Sequence, residues 1–196
     1  MVVGSRHLLS WEADSMERIA KVSKAFTVLF SLVLVILPVL NILIWVFFNQ
    51  AYSLISQGTV AGVNLAKLPV PLPLPAWNRA LGLCVCLVPL AVQMVMVFYL
   101  RRLFSLYAKG LVFTGQNVLC IRRTGVALLA GQVVAPVVQA LMTAVLTLTN
   151  PPGHRMVQIG LSSADLTAVA VGFMLIVVAW IMDEGRKLQE EQALVI

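Results

Sequence analysis

The sequence predicts an all-α membrane protein with four transmembrane helices, an N-terminal amphipathic helix and both termini in the cytoplasm. Three observations lead to this fold class. Of the 196 residues, 60% are apolar and 11% are charged, whereas soluble domains average about 45–50% apolar and about 25% charged residues. The apolar residues form four long runs, and the basic residues concentrate on one side of those runs. The excess of apolar residues must face lipid, so residues 1–196 are predicted to form a single transmembrane domain.

The four apolar runs each have the length of a membrane span. A helix needs about 20 residues to cross about 30 Å of hydrocarbon. The runs lack the short alternating strands of a membrane barrel, so helices are the predicted structure. The predicted spans are residues 26–48, 80–100, 126–149 and 163–182, followed by a tail at residues 183–196. Asp165 opens the last run, and we expect it at the water boundary.

The distribution of lysine and arginine predicts the orientation. Eleven of these residues fall in the N-terminal segment, the loop between spans two and three, and the tail, whereas three fall on the opposite side. Loops rich in lysine and arginine stay in the cytoplasm. Both termini and the middle loop are therefore predicted to be cytoplasmic, with the acid-free middle loop at the anionic headgroups.

The N-terminal segment at residues 8–25 is predicted to be an amphipathic helix. Its less polar face carries Leu8, Trp11, Ser15, Ile19 and Val22, and charged side chains lie elsewhere around it. We expect such a helix to lie in the membrane interface before the chain enters the bilayer.

A proline-rich stretch closes the loop between spans one and two. Pro69, Pro71, Pro73 and Pro75 alternate with other residues, and proline fixes φ and cannot donate a hydrogen bond. The favoured interpretation is a stiff connector across the outer end of the helices. The alternative is an exposed docking site for an outside partner.

A belt of amide side chains is predicted near the middle of the membrane. Prolines lie near the centres of three spans, at Pro38, Pro89 and Pro136, with Gly172 at the matching position in span four. Amides lie one turn away and a threonine extends the line, which gives the belt Asn41, Gln93, Gln132, Gln139 and Thr143. The amides could satisfy carbonyls freed by the prolines and stabilise a kinked bundle. The alternative is a midplane substrate site, but the runs hold no lysine, arginine, glutamate or histidine away from their ends.

The sequence offers no catalytic or metal-binding constellation. His7 and His154 are predicted on opposite sides of the membrane, and Cys84 and Cys86 would diverge on a helix. No nucleophile triad, phosphate loop or metal-binding cysteine cluster is recognisable. We therefore expect a protein that is not an enzyme, with no cofactor, no metal and no direct contact with nucleic acid.

Two segments resemble the signatures of a known family. They are "LFSLYAKGLVFTGQNVLCIRRTG" at residues 103–125 and "DEGRKLQEEQALVI" at residues 183–196. Both are similar to motifs of a bacterial four-span membrane family catalogued only as a domain of unknown function. The matching positions are Tyr107, Gly110, Phe113, Thr114, Asn117, Val118, Arg122, Gly125, Leu188, Glu190, Glu191, Leu194 and Ile196. The resemblance implies the bacterial inner membrane. Family members are often encoded beside a small helix-turn-helix regulator, which implies membrane-linked regulation.

The same two segments define a candidate cytoplasmic interaction surface. Thr114 is predicted to start a helix after a break at Gly110. The tail is predicted to continue span four as a helix with ion pairs Glu184–Lys187, Arg186–Glu190 and Lys187–Glu191. Its acids could fasten to the basic loop, or its apolar end could bind a partner. The candidate surface is Tyr107, Phe113, Asn117, Arg122, Arg123, Glu190, Glu191, Leu194 and Ile196.

Because the sequence contains no recognisable reaction motif, these features favour a non-enzymatic protein. We expect a multi-pass inner-membrane protein that contacts the lipid bilayer and binds a protein partner. Two alternatives stay open. One is a small transporter or channel component that uses the midplane amides. The other is an immunity protein that blocks a membrane-inserting toxin.

Overall fold

The computed structural model describes the backbone of residues 3–193 and the side chains of residues 17–192. Its elements are α1 (Val3–Val46), α2 (Phe48–Ile55), β1 (Thr59–Val60), β2 (Val63–Asn64), a 3-10 helix (Leu65–Lys67), α3 (Ala76–Tyr107), α4 (Gly115–Thr147) and α5 (Ser163–Ala193). Four helices are long and apolar enough to cross a membrane, and they contain the four predicted runs almost entirely. The predicted four-span helical fold is confirmed, and the chain is a multi-pass membrane protein.

The N-terminal segment is helical, as the sequence predicts. It continues into the first span without interruption, because α1 runs unbroken from Val3 to Val46. Ile19 and Val22 on this segment are about half exposed, at 45% and 55%. The side chains of Leu8, Trp11 and Ser15 lie outside the described ones.

The spanning helices form a row in chain order. The main contacts are α1 with α3, α3 with α4, and α4 with α5. This arrangement differs from the bundle suggested by the amide pattern, in which all four spans face one another. In the row, α1 and α5 occupy opposite ends, so their polar residues are not brought together. We call the end with loop 108–114 and the end of α5 the termini end, and the end with the β-hairpin the hairpin end.

Glycines allow the closest helix crossings in the row. The ring of Trp45 on α1 lies directly over Gly82 on α3, where an added Cβ would be 2.1 Å from the ring. A Cβ at Gly125 on α4 would lie 2.8 Å from the carbonyl oxygen of Gly172 on α5. Gly172 therefore lies beside the termini-end half of α4 and not at the level of the prolines. Close contact between small residues is how helices gain packing energy in lipid.

The hairpin end is covered by the chain between the first two spans. Leu65, Leu68 and Leu74 are buried there against Trp45 and Phe48. The side chain of Asn49 donates to the Leu74 carbonyl and accepts from the Leu74 N–H. These contacts hold the segment against the helices.

The proline-rich stretch is tied down at both of its ends. Leu74 is held by Asn49, and the Pro69 carbonyl accepts from the side chain of Asn150 at 2.9 Å. Leu68 and Leu74 point inward, whereas Leu72 between them is 47% exposed. This geometry is that of an anchored connector.

The termini end has its own small core. It is formed by Leu103, Leu106, Cys120, Ile121 and Ala179, which are all buried. The core joins the ends of α3 and α5 to the first turns of α4. A cavity lies beside the middle of the row.

Candidate functional site

An extended segment between α4 and α5 runs back along the side of α4. The backbone N–H groups of Met156, Gln158 and Gly160 donate to the side chains of Thr147, Thr143 and Gln139, at 3.1, 3.0 and 2.9 Å. Two extended residues advance about 6.6 Å, and four helical residues advance about 6 Å. Because the two spacings are nearly equal, every second backbone N–H of the segment can bond to a side chain on the next turn of α4.

This segment places the start of α5 halfway along α4. Asp165 lines the same cavity as Pro89 and Gln93 of α3 and Gln132 of α4, residues near the centres of their apolar runs. Residues 154–162 cover the hairpin-end half of α4 as extended chain, so the last helix begins level with the middle of α4. Whether Asp165 lies at the water boundary stays a prediction.

The carboxylate of Asp165 is held in a fixed position by the residue before the helix. The N–H and hydroxyl of Ser162 both donate to Asp165 Oδ2, at 2.7 and 2.8 Å. The Asp165 N–H in turn donates to the Ser162 hydroxyl at 3.3 Å. This reciprocal arrangement is a capping box at the start of α5. It uses Oδ2 and leaves Oδ1 without a hydrogen bond to the described residues.

The cavity lies between α3, α4 and the start of α5 and has a volume of about 520 Å³. The β-hairpin covers its hairpin end through Thr59, Ala61 and Gly62. Gly62 has a φ of 80°, and an added Cβ there would lie 2.9 Å from Nε2 of Gln139. The absence of a side chain at Gly62 lets the hairpin turn approach α4 this closely.

The amides of the cavity differ in their hydrogen bonding. Gln139 is 9% exposed and accepts through Oε1 from Gly160. Gln132 Oε1 is buried and has no hydrogen-bond partner among the described residues. Gln93 lines the cavity from α3 with an exposed side chain. The cavity therefore contains one carboxylate and amide groups that the described fold does not fully satisfy.

Of the predicted belt, the structure brings Gln93, Gln132 and Gln139 together at this cavity. Thr143 lies one turn further along α4 and binds the extended segment. Asn41 is on α1 at the other end of the row, and its buried Oδ1 has no partner among the described residues. No described hydrogen bond runs from these amides to a carbonyl freed by proline. Whether the belt carries function stays a prediction.

The loop at the termini end is held by the side chain of Asn117. This side chain is fully buried and donates to the carbonyls of Leu111 and Val112, both at 2.6 Å. Gly110, with a φ of 75°, makes the turn after α3. The loop so fixed exposes Phe113, whose side chain is 71% accessible.

The start of α4 confirms the sequence prediction with one difference. Thr114 is the N-cap residue, and its carbonyl accepts from the Asn117 and Val118 N–H groups. Its hydroxyl makes no capping bond and is buried without a partner among the described residues. Tyr107 packs in the termini-end core, edge-on to Phe104.

The tail forms most of its ion pairs within itself. The predicted pairs Arg186–Glu190 and Glu184–Lys187 are present, and Lys187 also pairs with Asp183 rather than with Glu191. Within residues 17–192, no ion pair joins the tail to the basic side chains on α4, which are exposed. Leu194 and Ile196 lie outside the described residues.

The separation between tail and loop explains the missing pairs. Arg186 lies against Gly115, with its Nε 3.8 Å from an added Cβ. Arg122 and Arg123 are two turns from Gly115 in one direction, and Glu190 is one turn from Arg186 in the other. At 1.5 Å per residue, the opposite charges are about 16 Å apart along the helices. The tail instead lies against the start of α4 through Arg186.

No catalytic or metal-binding set is visible in the described part of the chain. Residues that could hold a metal ion do not cluster there, and Cys84, Cys86 and Cys120 are free thiols. The cavity and the Phe113 loop are the two features of the described residues that are left to assign.

Comparison with protein families decides which family these features belong to. The sequence matches the family described as "Protein of unknown function (DUF2975)" over residues 13–196. The chain belongs to the DUF2975 family. The match confirms the family resemblance drawn from the two motif segments. Comparison of this DUF2975 protein with curated proteins and with solved structures found no significant match.

Sequence reasoning overlooked Asp165 as a cavity residue. Two signals for it were present in the sequence. Ser162 and Asp165 have the spacing of a capping box, and "HRMVQIG" (residues 154–160) lies before that box with no helical periodicity. In this DUF2975 protein, these signals indicate extended chain followed by a helix start within the span.

Proposed function

We propose that this DUF2975 protein is a non-enzymatic protein of the bacterial inner membrane that binds a cytoplasmic protein partner at its termini end. The binding would link the membrane to regulation. The observation that carries the proposal is the loop in which buried Asn117 holds Phe113 out from the surface.

The orientation of this face rests on the charge distribution. Eleven of the fourteen lysine and arginine residues fall in segments at the termini end. The positive-inside rule puts such an end in the cytoplasm. The Phe113 loop would then be accessible to a cytoplasmic protein.

The geometry of the loop supports a protein-binding role. Two short hydrogen bonds from Asn117 fix the backbone directly before Phe113, so little conformational entropy is lost when the ring is bound. Leu111 beside it is 44% exposed, and Arg122 and Arg123 are exposed on the next helix. Aromatic and arginine side chains dominate binding energy in protein interfaces. The matching partner surface is an apolar pocket with acidic residues at its rim.

Site-specific photo-crosslinking tests this proposal. A photoreactive phenylalanine analogue at position 113 should crosslink in cells to one discrete protein band. The matched control is the same analogue at Phe173, which is 58% exposed on α5 but within the apolar span. We expect lipid adducts alone from position 173. Lipid adducts alone from both positions would show that Phe113 is a membrane anchor and would refute the proposal.

A variant that releases the loop tests whether the partner needs Phe113 in its fixed position or only needs the ring itself. Asn117→Ala should reduce crosslinking from position 113 while the protein still inserts in the membrane. Retention of full crosslinking by this variant would show that the fixed loop is not what the partner recognises.

Packing at the termini end favours binding over conduction at the cavity. The buried core of Leu103, Leu106, Cys120, Ile121 and Ala179 joins α3, α4 and α5 there. This packing gives less support to the transporter or channel alternative. No observation on the described residues favours the immunity alternative.

A further inference from the structure

We infer that the cavity beside Asp165 binds a small organic ammonium ion. The inference does not depend on the partner proposed for the Phe113 loop. It follows from the charge of the cavity, from its unpaired acceptor atoms and from its size.

The charge of the cavity favours a cation. Asp165 is the single ionisable side chain among the described residues that line it, and none of the ion pairs among the described residues includes it. The start of α5 offsets part of its charge, since a helix N-terminus carries about half an elementary positive charge. The remaining charge is negative, which excludes an anionic ligand and favours a cationic one.

The unpaired atoms of the cavity walls are acceptors. Oδ1 of Asp165 is free of the capping box, and Gln132 Oε1 is buried without a partner. A buried carbonyl without a donor costs about 1–3 kcal/mol. An ammonium group offers three N–H donors and no acceptor. It could therefore satisfy the carboxylate and a glutamine carbonyl at the same time.

The remaining space fits an organic group attached to the ammonium. A volume of about 520 Å³ lies within the range of small-molecule sites, about 300–1,000 Å³, and is far larger than a bare metal ion requires. Much of the wall is apolar, with Pro89, Val92, Met96 and Val138 among its members. A short alkyl chain would contact these side chains while its ammonium group faces Asp165.

Equilibrium binding to the full-length protein in lipid nanodiscs tests the inference. The probe is radiolabelled methylammonium, competed with unlabelled n-butylammonium or with sodium. We expect saturable binding that n-butylammonium displaces better than methylammonium itself, because its chain uses the apolar wall. Sodium at the same concentration should displace little. No saturable binding, or displacement by sodium as effective as by n-butylammonium, would overturn the proposal.

Three variants show whether Asp165 and Gln132 are responsible. Asp165→Asn should weaken binding by about tenfold to a hundredfold, the value of a hydrogen bond to a charged group. Asp183→Asn is the matched control, since it makes the same change at a carboxylate that does not line the cavity, and it should bind normally. Gln132→Leu removes an unsatisfied carbonyl, so its melting temperature should hold or rise while binding weakens. Normal binding by both Asp165→Asn and Gln132→Leu would place the ligand elsewhere and refute the assignment.

Discussion

Replacing Thr143 by valine should detach the middle of the extended segment from α4. The hydroxyl of Thr143 accepts from the Gln158 N–H at 3.0 Å and donates to the Gln139 carbonyl at 2.9 Å. Valine keeps the shape of the side chain but makes neither bond. Losing the second bond costs little, because that carbonyl also belongs to the helix. Losing the first leaves a backbone N–H without a partner, which costs about 1–3 kcal/mol.

Thr124→Val provides the reference for this experiment. Thr124 is buried at 3% exposure and donates to the carbonyl four residues earlier, as Thr143 does, but it accepts nothing from another segment. The difference between the two variants isolates the bond to Gln158. For a protein of this size, about 1–3 kcal/mol corresponds to a fall in melting temperature of roughly 2–12 °C.

Thermal unfolding in detergent, followed by circular dichroism, measures the difference. Hydrogen exchange of the Gln158 backbone amide in each background reports whether the segment has come away from α4, and it should be faster in Thr143→Val alone. Equal melting temperatures and equal exchange rates in the two variants would refute the role given to the segment.

Three other predictions concern the hairpin turn, the tail and the orientation. Gly62→Ala should lower the free energy of unfolding by about 1–2 kcal/mol, and the melting temperature with it. The reason is that it adds a Cβ at a φ of 80° and against the Gln139 amide. Gly153→Ala, at a φ of 94° with open space around it, should show the smaller cost of backbone strain alone. Glu190→Lys should lower the melting temperature only slightly, because it breaks an exposed ion pair with Arg186, and Arg186→Glu in the same chain should recover part of the loss. A cytoplasmic reporter fused to the C-terminus should be active and a periplasmic one inactive; the reverse would contradict the proposed orientation.

The sequence was sufficient for features that depend on local chemistry. Run length and hydropathy located the four spans, because lipid allows few other structures for a long apolar stretch. Thr114 and Gly110 located the start of α4, since a helix boundary depends on a few adjacent residues. The spacing of Arg186 and Glu190 predicted their ion pair for the same reason.

Features that depend on contacts between helices could not be predicted from local sequence patterns. The row arose from contacts such as Trp45 over Gly82, and no local pattern pairs those two positions. The place of Asp165 beside the cavity was overlooked, because a span was assumed to be helical throughout. Asn117 was expected on an interaction surface, but its side chain is buried and holds the loop. Tertiary contacts decided the first two outcomes, and side-chain bonds to the preceding loop decided the third.

The extended segment also has a consequence for the order in which the protein assembles. A helix satisfies its own backbone and can enter lipid alone, but the N–H groups of Met156, Gln158 and Gly160 rely on side chains of α4. Residues 154–162 therefore cannot settle beside the hairpin-end half of α4 until that helix is already in the bilayer. Synthesis from the N-terminus supplies α4 first. The extended segment before α5 can therefore reach its final position only after α4 is in place to accept its hydrogen bonds.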